Sequence, residues 1–314
     1  MLIQDQLPWD QVNDENLSFF KAIGVDYLTI NPAPDLRDGA DRTDYWIAMR
    51  KLAESHGLKL QNTACPGWDE LTLVLPDREQ KIEAWCTLLR NLGAAGIPTL
   101  GYNFKPVGNF RTPATIGRGG AHYSTFNYDE FMQDSPYYPE KAIQEEQLWE
   151  NLEYFLHRVI PVAEEAGVRM ALHPDDPPIP EVMGGAARIV SSLEQYKRIF
   201  NLVPSESNAM LFCQGCVTEM GVNVEQAIRD IGALGKIVYV HFRNVRGTPR
   251  NFQEVFIDEG DVDMVKMMET YRDVGFNGPF MMDHTPEFPN GQTFWAGHAF
   301  AVGYMRALIQ AVYR

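Results

Sequence analysis

Short apolar runs of four to seven residues recur along the chain, separated by longer stretches whose apolar positions return every three to four residues. The short runs predict buried strands: LIQDQ (2–6), VDYLTI (25–30), LKLQNTA (58–64), PTLGYNF (98–104), VRMALH (168–173), AMLFC (209–213), IVYVHFR (237–243) and PFMMDH (279–284). The longer stretches predict helices over Asp44 to His56, Asp77 to Leu92, Glu145 to Ala166, Ser192 to Ile199, Val224 to Leu234 and Val262 to Val274. Gly57, Gly93, Gly167, Gly235 and Gly275 read as stops behind five of these helices. In GDVDM (260–264), Asp261 or Asp263 reads as the cap of the helix that follows. Eight strands alternating with helices predict an α/β fold, a single (β/α)8 TIM barrel over residues 1–314; a doubly wound open sheet is the alternative. The chain shows no internal repeat, low-complexity tract or linker that would mark a second domain.

One connection breaks the alternation. Between Lys105 and Lys141 the sequence is rich in Gly, Pro, Tyr and Phe and holds no sustained period. A connection this long in a compact domain is usually a functional loop or a disordered one. Its aromatic content and its place after the fourth strand predict a lid over the end of the barrel.

Composition narrows the class. A content of 45% hydrophobic residues supports a sizeable core, while no apolar run reaches the ~18 residues of a membrane span. The N-terminal segment MLIQDQLPWDQVNDENL lacks the basic-then-apolar plan of a signal peptide, so a cytoplasmic protein is expected. Four cysteines in 314 residues are too few for a disulfide framework. The formal charge of −15 argues against nucleic acid as a partner. It leaves a small molecule, with or without self-assembly into a homo-oligomer. An anionic substrate would have to be drawn in by local cations or by a metal.

The candidate chemistry sits at the ends of the last four apolar runs, in MALHPDD, MLFCQG, IVYVHFRN and PFMMDHTP. His173, Cys213, His241 and Asp283 each fall where a buried parallel strand would finish, and the C-terminal lip is where an α/β barrel keeps its active site. Singly, each is as well explained by core packing; together, two imidazoles, a thiolate and a carboxylate make a site for Mn, Fe, Co or Zn, softer than Mg prefers. Cys213 and Cys216 also form a C-x-x-C, open to a redox or structural-zinc role, but no second such pair accompanies it. His284, beside Asp283, is a candidate general acid or base, or the residue that orients Asp283. Arg243 and Asn244 extend past His241 and would suit a substrate carboxylate, or an ordinary surface ion pair. Asp175 and Asp176 are placed to hydrogen-bond sugar hydroxyls or to cap their loop.

Several of these stretches resemble the mannonate dehydratases. LHPDDPP (172–178), GGAARIVSSLEQY (184–196), HFRNVRG (241–247), GDVDM (260–264), MDH (282–284), EAWCTLLRNLGAAGIPTLGYNFKPV (83–107) and the Arg111-Thr112 pair are similar to that family, in its order, from about Gly57 to Arg314. The resemblance implies a barrel of the xylose-isomerase-like group that uses Mn²⁺ to eliminate water from D-mannonate, giving 2-keto-3-deoxy-D-gluconate. It implies that His173, Cys213, His241 and Asp283 bind the metal and that His284 is a catalytic acid/base. It places Asn103, Arg243 and Asn244 near the substrate. Two positions depart from the family pattern. Met281-Met282 stand where an Arg-Pro pair is usual before the Asp-His, and His298, in FWAGHAF, stands about where a catalytic Tyr is usual.

The expectation is therefore a metal-dependent lyase acting on a sugar acid, with His284 and His298 as its proton-transfer groups. A metal-dependent sugar isomerase or epimerase on the same scaffold is the second expectation. A sugar-acid binding protein without turnover is the third.

Overall fold

The computed structural model describes residues 2–289 and 293–313. Its strands are β1 (Gln4–Leu7), β2 (Tyr27–Ile30), β3 (Lys59–Cys65), β4 (Thr99–Tyr102), β5 (Thr112–Ile116), β6 (His122–Asn127), β7 (Arg169–Leu172), β8 (Asn208–Cys213), β9 (Ile237–His241), β10 (Val245–Thr248), β11 (Asn251–Glu254) and β12 (Phe280–Met281). The helices are α1 (Asp14–Ile23), α2 (Thr43–Ser55), α3 (Asp69–Thr72), α4 (Arg78–Ala94), α5 (Tyr128–Phe131), α6 (Glu145–Ala166), α7 (Leu193–Leu202), α8 (Gln214–Glu219), α9 (Val224–Ala233), α10 (Met264–Asp273) and α11 (Thr293–Val312).

All eight expected strands form, and they pair in parallel in the order β1-β2-β3-β4-β7-β8-β9-β12. A parallel bridge from Ile3 to Phe280, with Phe280 N–H donating to the Leu2 carbonyl at 3.1 Å, closes the ring. The result is a TIM barrel. Because helices cover its outer face, the strands are buried on both sides, which is why they read as continuous apolar runs. β12 is shorter than the six-residue run suggested. After Met281 the backbone leaves the sheet, and Asp283 takes a φ of +74°, uncommon for a residue with a Cβ.

The helix ends follow local chemistry. Asn13, Ser192, Asn223 and Asp263 each accept a hydrogen bond from the backbone N–H three residues on, so of the two aspartates in GDVDM it is Asp263 that caps α10. Gly57, Gly167, Gly235 and Gly275 take the left-handed conformation expected of helix stops. Gly93 does not. It lies inside α4, and the stop is Gly96 at φ +73°. Gly93 instead serves packing, because a Cβ there would overlap the carbonyl oxygen of Ala166 at the end of α6.

The connection after β4 is more ordered than its sequence suggested. It folds into the hairpin β5–β6, which joins the hairpin β10–β11 from beyond β9 in an antiparallel sheet of order β10-β11-β6-β5. Phe126 and Phe252 meet across the junction with ring centroids 5.7 Å apart. Each hairpin alone would be marginal; their pairing makes a four-stranded cover over the C-terminal end of the barrel. No helix among the described residues is long and apolar enough to cross a membrane.

Alanine normally improves on glycine within a helix by about 1 kcal/mol. At residue 93 the sign should reverse: Gly93→Ala forces α4 away from α6 and is expected to cost about 1–3 kcal/mol. Thermal unfolding should register this as a melting temperature several degrees lower. A variant that melts at or above the parent would mean that the two helices do not approach this closely.

Candidate metal centre and active site

Side chains on a strand alternate between faces, so residues two apart share one. Ala171, Leu211, Tyr239 and Met281 form one buried apolar cluster inside the barrel. His173, Cys213, His241 and Asp283 each lie two residues further on. Cys213 and His241 therefore form the next layer of the same inward columns, above an apolar floor, and His173 and Asp283 join them from just beyond the ends of β7 and β12. The other four strands continue that layer with Gln6, Asn31, Ala64 and Asn103, all of which line the central cavity of about 250 Å³. The layer has two unlike halves: neutral, mostly amide side chains from the first four strands, and metal-type donors from the last four.

One nitrogen, sulfur or oxygen atom from each of His173, Cys213, His241 and Asp283 lies within 4.8 Å of all the others. Bonds of roughly 2.0–2.3 Å around a divalent ion place ligand atoms about 3.3–4.6 Å apart, so the cluster has the size of a coordination shell. His173 Nδ1 faces the Pro174 carbonyl at 2.7 Å, an arrangement that puts the proton on Nδ1 and leaves Nε2 its lone pair. Both ring nitrogens of His241 are buried without a hydrogen bond; Nδ1 makes an unaligned ionic contact with Asp283 Oδ1 at 3.4 Å. A buried imidazole left unsatisfied in this way is what a missing cation would explain. The residues present fit a divalent metal.

The charges in this cluster are tightly linked. Burial opposes ionisation of Cys213, but the Cys216 thiol, the Arg243 guanidinium and the two imidazoles overcome it and hold Cys213 well below the usual thiol range. Burial and the adjacent thiolate push Cys216 well up, so it keeps its proton. The two cysteines thus have different jobs, and among the described residues neither is grouped with Cys65 or Cys86 as a four-cysteine zinc site would require. Burial works against a charge on His241, yet Asp283 and Cys213 raise it to about 9. Asp283 is held well below the usual carboxylate range; against the cost of burial stand His241, His284 and Arg243.

Behind the donors lies a buried ionic network. Arg243 pairs with Glu254 at 2.9 Å and with Glu219 at 3.2 Å, and it approaches Asp176 at 3.7 Å and Asp283 at 3.8 Å. Asp176, Cys216 and Glu219 also cluster tightly enough to suit an ion, but the guanidinium of Arg243 already fills that role. Burial pushes Glu219 well above the usual carboxylate range. Arg111 donates to Asp176 at 2.8 Å and to Glu254, so the cover sheet is tied ionically to the barrel. Leaving one of these carboxylates without its arginine would cost on the order of 3–5 kcal/mol. The Arg243 guanidinium is thus engaged by four carboxylates, with only its Nε left without a hydrogen-bond partner among the described residues, and the ion pair that the sequence offered beside a carboxylate clamp is buried and not on the surface.

His284 stands at the edge of this network, about half exposed. Its Nε2 lies 2.9 Å from Arg243 Nη1 and its Nδ1 3.1 Å from Glu254 Oε2. Arginine can only donate, so the ring proton belongs on Nδ1, facing Glu254. His284 and Asn103 line the central cavity as expected. Asp175 and Asn244 do not line it. Asp175 accepts from the Val190 N–H and pairs with buried Arg188, and its neighbour Asp176 faces the cavity instead. Asn244 spends its amide on the Ile257 and Val262 carbonyls and the Val245 and Val262 N–H groups, fixing the loop before α10. His298 is buried on α11 with Nδ1 2.7 Å from Asp5 Oδ2, and it lines an adjoining cavity with Asp283 and His284. Gln6, Asn31, Glu219 and Glu254 escaped the sequence reading. The two amides follow from strand parity once the barrel is known, whereas the two glutamates reach the site only through tertiary contacts.

The family profile of D-mannonate dehydratase (UxuA) matches residues 131–314. Mannonate dehydratase 2 of Halalkalibacterium halodurans is 32% identical over an alignment covering 76% of this chain and 77% of that protein. A mannonate dehydratase of Streptococcus suis is 30% identical, covering 82% and 76%. The crystal structure of mannonate dehydratase from Streptococcus suis superposes with a TM-score of 0.87 at 28% identity, covering 99% of this chain and 93% of that one. D-psicose 3-epimerase of Clostridium cellulolyticum, with a TM-score of 0.64 at 15% identity over 98% and 99% of the two chains, shares the fold.

The raised His241 makes a signed prediction. Without metal, its charged form contributes stability that is fully present below about pH 6.5 and lost as pH rises through 9. A metal needs the neutral ring, so proton competition weakens binding over that same range and eases as pH rises. At fixed free metal, the gap in melting temperature between metal-loaded and chelator-stripped protein should widen from pH 6.5 to 9. A gap that stays constant would remove His241 from the ligand set.

Proposed function

The chain belongs to the mannonate dehydratase family, and from that membership we propose that it is a metal-dependent hydro-lyase converting D-mannonate to 2-keto-3-deoxy-D-gluconate. The observation that carries this reading is the two-sided upper layer of the barrel. Gln6, Asn31 and Asn103 offer neutral donors and acceptors that suit a row of hydroxyls, opposite four donors that suit a divalent cation.

In this reading His173, Cys213, His241 and Asp283 hold Mn²⁺, with Fe²⁺, Co²⁺ and Zn²⁺ as the ions to compare. Bound there, the cation supplies Lewis acidity to the substrate carboxylate and its neighbouring hydroxyl, which acidifies the C2 proton. His284 takes that proton. Its ring is half exposed, and turning away from Arg243 brings its Nε2 to the cavity. Glu254 holds the opposite nitrogen and stabilises the imidazolium that forms. As the C2–H electrons form the C2–C3 double bond, the C3 hydroxyl leaves and takes a proton. His298, beside His284 in the adjoining cavity, is the second proton-carrying group we assign. The enol then gains a proton at C3 and loses the one on its C2 oxygen, becoming the 2-keto acid. The cover sheet, tied down through Arg111, keeps bulk water from the reacting carbons.

Protein loaded with Mn²⁺ and given D-mannonate should release a 2-keto-3-deoxy acid, detectable by periodate–thiobarbiturate colour. Formation of an epimer or ketose instead would move the assignment to the isomerase reading. Cys213→Ser and His241→Ala should lose most of the bound metal by elemental analysis, while Cys216→Ser, which keeps a donor beside Cys213, should retain it. Loss of metal from Cys216→Ser to the same extent would undo the ligand assignment.

His284→Asn should retain metal and substrate binding while turnover falls ~10²-fold or more. If turnover persists near the parent rate, another group removes the C2 proton.

A further inference from the structure

A sugar acid brings a negative charge into a protein of net charge −15, so a positive side chain near the metal donors would favour its carboxylate. The arginines near the site do not supply one. Arg111 and Arg243 are held by carboxylates. Arg188 is fully buried, with Nη2 donating to the Pro177 carbonyl and Nε 3.8 Å from Asp175. The described residues lining the central cavity include no lysine or arginine.

Lys105 is different. It lies just past β4, two residues beyond Asn103, and is half-buried. Among the described residues its ammonium meets no carboxylate at ion-pair distance; its side-chain hydrogen bond goes to Asn109 Oδ1 at 2.6 Å. Asn103 and Asn109 both line the cavity, so Lys105 is flanked and held by cavity-wall residues. Burial and the nearby Arg188 lower its pKa, while Asp175 and Asp176 raise it. An ammonium partly stripped of water and paired only with a neutral amide gains more from an arriving carboxylate than one already in a salt bridge. Its four-carbon stem gives it the reach to leave Asn109 and meet the ligand.

We propose that Lys105 is the specificity-determining cation that receives the substrate's carboxylate, released to it from Asn109, and that it replaces Arg243 in this role. The inference rests on the sugar-acid reading above and deepens it: the site selects for an anion at one end of the polyol and for hydroxyls along the rest.

The test is calorimetric. Titrations in the Mn²⁺-loaded His284→Asn background, where turnover is slowed, would compare D-mannonate with its neutral amide, D-mannonamide. Lys105→Gln, which keeps a donor for Asn109 but no charge, should weaken D-mannonate about 10- to 100-fold, the scale of a charge-assisted hydrogen bond. It should leave the amide within about 2-fold, the difference expected of a neutral contact. Lys105→Arg should restore most of the preference for the anion. Equal weakening of both ligands would make Lys105 a structural residue and overturn the proposal, as would unchanged affinity for D-mannonate. The failure of the functional reading looks different. Protein that ignores D-mannonate but binds D-gluconate with the same dependence on Lys105 keeps this inference and changes the substrate. Protein that binds no sugar acid in the parent background overturns both.

Discussion

The two-residue period of a β-strand is the constraint on which this site depends. β8 and β9 each place an apolar side chain inward, and two residues later the same columns end in Cys213 and His241, with His173 and Asp283 following just beyond β7 and β12. A one-residue slip in β8 or β9 would turn its donor outward into the helical layer and an apolar neighbour inward. The register is therefore a functional quantity. It is set by the core, through runs whose opposite faces are also buried, and so needs no help from the ligands. Cys213 pairs with His241 in the ladder, which brings those two donors to one level, while Asp283 lies two residues past Met281, the partner of His241 in β12.

That arrangement was legible in the sequence for a physical reason. A buried parallel strand announces itself by an unbroken apolar run, and a polar residue at its end is conspicuous because nothing polar precedes it. The eight strands and the six expected helices all reappear in the structure, with α6 over the expected residues and the others shifted slightly at one end or both. What was not legible was whatever depends on partners distant in the chain. The strands of the cover sheet were hidden because Pro113 and the glycines at 117, 119 and 120 interrupt any pattern, and because β6 needs β11, more than 120 residues later, to become part of a sheet. Gly93 looked like a stop since nothing local reveals that α6 passes so close.

Charged residues were the least legible class. Arg243 and Asn244 follow His241 on the lip, and position alone suggested ligand contacts. The structure instead has Asn244 holding a loop and Arg243 bound among four carboxylates, two of which, Glu219 and Glu254, come from α8 and β11. A sequence gives the position of a charge but not the company it keeps. Burial then decides its state. Glu219 favours its proton while Asp176 sheds one beside Arg111 and Arg243.

The brevity of β12 has a mechanical consequence. With only Phe280 and Met281 in the sheet, it is joined to β9 over two residues and to the N-terminal strand by a single bridge at Ile3, so the barrel has a seam where its last strand meets its first. Asp283 and His284 lie immediately beyond that seam, where the Asp283 carbonyl accepts from Gln6 Nε2 at 2.7 Å. A cation shared by His173, Cys213, His241 and Asp283 would tie this end to three neighbouring strands and close a chain loop running from residue 173 to residue 283. The metal of such a site would then be a clasp as well as a reagent, holding shut a place where the cylinder could part.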